Sequence, residues 1–202
     1  MYKGCELLLI VNQDVPNLLF RREIGAMLGM DDLRPFCLAS RKPMPIYTGK
    51  GYEDDIRRVF GYAFAEFPPG IEVPRFEIRP VEEFMDLAGL KIETFWVQHG
   101  PIPVLALRVG DFAYITDVSH IEERDFDRLQ NLKSLILDGV RYRPHPNHYH
   151  YEKAIEVAQR IGADMTYLTH LSSDYDHDKV NLELPKGIKL AFDGLRIPIR
   201  NS

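Results

Sequence analysis

The sequence predicts a mixed α/β fold, and two groups of residues carry that prediction. "LKIETFWV" (90–97) and "IPVLALRV" (102–109) alternate apolar and polar residues, the pattern of half-buried antiparallel strands. "LKSLILDG", "YEKAIEVAQRIG" and "MTYLT" follow one another as strand, helix and strand, the order of a crossover unit.

Taken in chain order, Leu7 to Val11 is a short apolar run that suits a buried strand. Leu18 to Met30 mixes apolar and charged residues and suits a helix, against which Gly25 and Gly29 count. "DDLRPF" (31–36) and "SRKPMPIYTGKG" (40–51) are rich in turn residues, with "MPIYT" a short strand inside the second. In "EDDIRRVFGYAF" (53–64), Ile56, Val59, Phe60 and Ala63 share one helical face behind an acidic first turn, and "FPPGIEVP" (67–74) ends it. "FEIRPV" opens the alternating region and is expected to join its antiparallel sheet. "FAYIT" (112–116) follows a Gly-Asp turn and completes a hairpin. "IEERDFDRL" (121–129) reads as a short polar helix and "LKSLILDG" (132–139) as a buried strand. In the helix "YEKAIEVAQRIG", Ala154, Ile155, Ala158 and Ile161 face inward and Gly162 supplies the stop. "IKLAFDG" (188–194) and "LRIPI" (195–199) close the chain.

Composition narrows the function. The chain has 202 residues, 45% of them hydrophobic, and one domain spanning 1–202 is expected. A net charge of −5 gives no basic footprint for nucleic acid. No run approaches the roughly 18 apolar residues of a membrane span, and the N-terminal run lacks the basic flank of a leader. Cys5 and Cys37 have no paired spacing and read as free thiols in a reducing compartment, so a cytoplasmic location is expected.

Chemistry concentrates at strand ends. His99 follows "TFWVQ", Asp117 follows "FAYIT", Asp138 follows "SLIL" and His170 follows "MTYLT". Strand ends gathered on one rim make a crevice for a ligand. Imidazole and carboxylate there suit a borderline cation such as zinc. The same groups also serve simply to hydrogen-bond nearby backbone. A second concentration is "RYRPHPNHYHYEKA" (141–154), where two prolines stiffen a loop carrying His145, His148 and His150. His148 is a candidate general acid, and Arg141 and Arg143 suit an anionic substrate. The plainer reading is a solvated loop with Asn147 or His150 near a helix N-cap. "DYDHDKVNLE" (174–183) lacks the periodic ligands of a calcium loop and reads as solvated.

In order, "GMDDLRPF", "MPIYT", "VQHG", "FAYITD", "LILDGVRYRPHPNHYHYEKAIEVAQRIGA", "YLTHLS" and "LPKGIKLAFDGLRI" resemble the metallo-β-lactamase superfamily. The similarity is to its phosphodiesterase-type branch, that of phosphoribosyl cyclic phosphodiesterase. The resemblance implies an αββα sandwich with a dinuclear zinc or manganese site at one edge and a small phosphodiester as substrate. It implies His99 and His170 as metal ligands, Asp117 as the bridging carboxylate and His148 as proton donor to the leaving group. Arg141 and His145 would contact substrate.

The sequence departs from the family at one motif. The family carries HxHxDH just before "GMDDLRPF", where this chain reads "FRREIGA" (20–26), and no histidine precedes His99. The fold is therefore expected to be N-terminally incomplete. Two functional readings follow. One is a metallo-hydrolase acting on a phosphodiester, impaired by the lost motif. The other is a non-catalytic or truncated relative serving as a binding or oligomeric protein, with a homodimer covering the open sheet edges.

Overall fold

A computed structural model describes Met30 and residues 33–49, 51–68, 70–87 and 89–199. The described residues form two compact units that meet in sequence between Glu82 and Glu83.

The first unit is built around two short strands, β1 (Met44–Thr48) and β2 (Phe76–Pro80). They pair in parallel, Met44 opposite Phe76 and Ile46 opposite Ile78. "FEIRPV" thus forms a strand as expected, but in this sheet and not in the antiparallel one. Helix α1 (Arg34–Ser40) lies within a stretch whose composition suggested turns. Its proline falls in the first turn, where the missing N–H breaks no intrahelical bond. Helix α2 (Glu53–Val59) carries Glu53, Asp54 and Asp55 at its positive end and gives way to a 3-10 turn over Gly61–Phe64. Ile56, Phe60 and Ala63 pack with Met30, Cys37, Ile46 and Phe76 in one apolar cluster. Cys37 is a buried free thiol, whereas Cys5, the expected strand at 7–11 and most of the expected helix at 18–30 lie outside the described residues.

The second unit holds a seven-stranded sheet whose spatial order equals its chain order: β3 (Phe84–Leu87), β4 (Leu90–His99), β5 (Ile102–Val109), β6 (Phe112–Ile115), β7 (Ser134–Asp138), β8 (Met165–Thr169) and β9 (Ile188–Leu190). β3 to β6 pair antiparallel through tight connections, and β6 to β9 pair in parallel. The change follows from the sequence. "GD" at 110–111 permits a hairpin, whereas the longer links after β6, β7 and β8 allow the chain to return and enter from the same side.

Helix α3 (Tyr151–Ile161) crosses between β7 and β8 and buries Ala154, Val157, Ala158 and Ile161. It ends at Gly162, whose φ of 71° is the left-handed stop that glycine favours. Helix α4 (His177–Glu183) occupies the stretch expected to be a solvated loop. Two side chains explain it: Asp176 caps Lys179 N–H, and Asn181 Oδ1 accepts from Leu190 N–H of β9 at 2.8 Å. "IEERDFDRL" forms two 3-10 turns, Glu123–Asp125 and Asp127–Leu129, instead of one helix. "LRIPI" forms no strand; Leu195, Ile197 and Ile199 instead pack against Phe112, Ile136 and Ala191. The principal core joins Val97, Ile115, Leu135, Leu137 and Leu168, all fully buried, to the inner face of α3. It fixes the strand ends from which the chemistry projects.

Candidate metal centre

The pairing directions put four strand ends on one rim. β4 and β6 both run opposite to β5, and β6, β7 and β8 run together. The C-terminal ends of β4, β6, β7 and β8 therefore face the same side, and just there stand His99, Asp117, Asp138 and His170.

Backbone bonds lock this rim. Ser119 N–H and Oγ–H donate to Gln98 O, and Gly100 N–H donates to Ser119 Oγ at 2.9 Å, so the end of β4 is tied to the segment after β6. Tyr149 N–H donates to Val118 O, Val140 N–H to Tyr149 O and Ser172 N–H to Val140 O. These bonds join the loops after β6, β7 and β8 into one floor. Tyr151 N–H donates to Arg141 O at 2.8 Å and closes the histidine loop at its base. Gly100 has a φ of 58°, and a Cβ there would run into the Asn147 side chain. Glycine thus allows residue 147 to lie against the β4–β5 turn.

On this floor Asp117, His148 and His170 each present a ligating atom, all within 4.8 Å of one another. Asp117 is buried at 3% exposure, and its Oδ1 lies 3.6 Å from His170 Nδ1 and 4.0 Å from His148 Nδ1. Ligands at about 2.0–2.1 Å from one tetrahedral cation stand roughly 3.4 Å apart, so the carboxylate and His170 are close to ligand spacing. His170 takes a left-handed backbone, φ 61°, uncommon for a residue with a side chain. Such strain is typical of functional positions, where the surrounding structure holds it.

Two imidazoles have their tautomers fixed by neighbours. His99 Nδ1 donates to Asn147 O at 2.9 Å, so Nε2 is its basic nitrogen. His148 Nδ1 donates to Asp138 Oδ2 at 2.8 Å, and the same oxygen accepts from Val118 N–H at 2.7 Å. Metal-ligating and proton-transferring histidines are commonly oriented in this way. The rings cluster: His148 lies 4.4 Å from His99, 4.8 Å from His145 and 4.7 Å from His170, centroid to centroid, and stacks on the last.

A cleft of about 300 Å³ opens beside the cluster, lined by Val140, Arg141, His145, His148, His170, Leu171 and Ser172. His145 Nδ1 accepts from Asn147 N–H at 3.1 Å. Burial, then the charges of His148, Arg141 and His99, lower the pKa of His145 and favour the neutral ring. Arg141 donates to Arg143 O and Pro144 O while lining the cleft.

The structure thus brings together His99, Asp117, Arg141, His145, His148 and His170, whereas Arg143 and His150 line neither the triad nor its cleft. It adds three features. His148 stands inside the triad of ligating atoms, with His99 packed against it. Asp138, noted from sequence only as a polar strand end, holds His148. Asn147, expected near a helix cap, positions His99 and His145. Residues 20–26, where the family motif would fall, lie outside the described residues.

Known proteins share this family and fold. A family model described as a beta-lactamase superfamily domain matches residues 18–171. An octanoyltransferase of Porphyromonas gingivalis (strain ATCC BAA-308 / W83) is 33% identical over 171 residues. That match covers 83% of this chain and 34% of the relative, so the chain spans about a third of the relative's length. Among solved structures, a diphosphatase from the PhnP family superposes with a TM-score of 0.77 at 33% identity, covering 86% of this chain and 67% of that one. YhfI of Bacillus subtilis, a metallo-beta-lactamase fold protein, gives 0.68 at 17% identity, covering 88% and 74%. Zn(2+)-bound PqqB of Methylobacterium extorquens gives 0.62 at 16%, covering 88% and 70%.

Proposed function

Since the chain belongs to the metallo-β-lactamase superfamily and has its hydrolase fold, we propose that it is a metal-dependent hydrolase of a small phosphodiester. The observation that carries this reading is the triad of Asp117, His148 and His170 on one rim, opening on a cleft with Arg141 and His145. The diphosphatase relative supports phosphorus as the reacting centre.

Asp117 and His170 would hold the ion, with the Nε2 side of His99 completing the donor set and His148 beside it. A nitrogen and oxygen set of this kind fits zinc or manganese, and the zinc-bound neighbour supports zinc. When bound, such an ion supplies Lewis acidity and an activated water. The chain's own residues supply the remainder. Arg141 anchors the anionic phosphoryl group at the cleft wall. Neutral His145 accepts at Nδ1 and so carries its proton on Nε2, a donor suited to a phosphoryl oxygen. His148 gives a proton to the departing alkoxide from Nε2. The Asp138 carboxylate behind it stabilises the doubly protonated ring and keeps it in register.

The test is turnover of bis(p-nitrophenyl) phosphate by the full chain with added zinc or manganese. Metal-dependent hydrolysis that a chelator stops and His170→Ala abolishes is the expected result. No turnover with either metal contradicts the reading and favours the non-catalytic relative.

A further inference from the structure

Beside the metal-side cleft lies a second cavity of about 360 Å³, lined by Arg141, Tyr142, Arg143 and Asp174. Arg141 lines both, so the two adjoin through its side chain. Each falls in the range of roughly 300–1,000 Å³ usual for small-molecule sites.

The second cavity has an aromatic wall. Tyr142 is 44% exposed, although its ring is held from behind. It packs at a tilt against Tyr151, centroids 5.1 Å apart, and against Tyr175, 4.9 Å apart. Tyr151 and Tyr175 pack on each other at 6.1 Å, and Tyr175 is anchored by its hydroxyl, which donates to Gly139 O at 2.7 Å. A large ring that is partly exposed while two other rings pack against it is a preorganised stacking surface. Arg141 and Arg143 share the lining with it, and the Asp174 carboxylate offers acceptors for N–H donors. A planar, nitrogen-rich ring fits all three: a π face for Tyr142, ring acceptors for arginine, and amino or ring N–H for Asp174.

We propose that this cavity binds the nucleobase of a nucleoside phosphoester whose phosphate occupies the adjoining cleft, with Tyr142 as the specificity-determining residue. The proposal rests on the phosphoester reading above and names its substrate class.

Binding without turnover tests it. Calorimetric titration of the zinc-loaded full chain would use guanosine 5′-monophosphate and ribose 5-phosphate as probes. The nucleotide should bind at least about tenfold more tightly, the order of one base–aromatic stacking contact. Tyr142→Ala should remove that preference and leave ribose 5-phosphate unchanged, Tyr142→Phe should retain it, and Asp174→Ala should weaken the nucleotide alone. Equal affinity of the two probes for the wild-type chain overturns the proposal, as does a Tyr142→Ala variant that weakens both alike. If bis(p-nitrophenyl) phosphate is hydrolysed but the preference is absent, this proposal alone falls. If the preference holds without hydrolysis, the hydrolase reading alone falls.

Discussion

His148 Nδ1 lies 2.8 Å from Asp138 Oδ2, and the carboxylate has no exposure to solvent. The same oxygen accepts Val118 N–H, so one buried oxygen aligns the loop after β6 with the imidazole of the histidine loop. Asp138→Asn keeps the shape and removes the charge. It should lower kcat on an alkyl-leaving substrate by about 10- to 100-fold, within the span of general acid catalysis, with a smaller change in KM. It should also destabilise by about 1–3 kcal/mol through the weakened buried bond. Kinetics and thermal melts on one preparation separate the two effects.

His148 occupies a place where it can be a ligand or a proton donor, and the leaving group distinguishes them. p-Nitrophenolate departs without much help, whereas a ribose alkoxide needs a proton. As a donor, His148→Gln should reduce hydrolysis of uridine 2′,3′-cyclic phosphate by about 10²-fold or more while sparing bis(p-nitrophenyl) phosphate. Equal loss on both substrates, together with lower metal content, would assign it as an essential ligand.

Gly100 lies where β4 turns into β5, with positive φ and the Asn147 side chain against it. Gly100→Ala should cost about 1–2 kcal/mol from the left-handed backbone alone. By moving Asn147 it should also loosen His99, whose Nδ1–H it receives. A lower Tm accompanied by weaker metal retention is the expected pair of changes.

Tyr175 gives a pH dependence of stability. Burial, then the neighbouring Tyr142 and Tyr151, push its hydroxyl above the ordinary value of 10.0. The unfolded chain therefore loses this proton first as pH rises. Above pH 10 the unfolded state binds fewer protons than the folded one, so stability falls with further rise in pH. Tyr175→Phe should flatten that alkaline decline in chemical denaturation, at the cost of the bond to Gly139.

Much of the second unit was legible in its sequence because its strands are strongly patterned. "LKSLILDG" buries four of the five residues of its strand, as a parallel strand covered on both faces must. Gly162 marked the end of α3. Elements decided by one or two side chains were not legible: α4 depends on Asp176 and Asn181, and α1 on a proline in its first turn. The partner of β2 is a long-range choice that alternation does not encode. In the site, strand ends pointed to His99, Asp117 and His170. Asp138 was visible as one more polar strand end, but its contact with His148 arises only when the loop folds back over the rim. Asn147 acts through its backbone, which no residue pattern marks.

Metal content of the purified full chain tests the central claim most directly. Elemental analysis after dialysis should find zinc or manganese in stoichiometric amount, lost in Asp117→Asn and in His170→Ala variants that keep wild-type circular dichroism. A wild-type chain that retains neither metal after loading and dialysis, or variants that bind as much as wild type, would contradict the assignment of this rim as a metal centre.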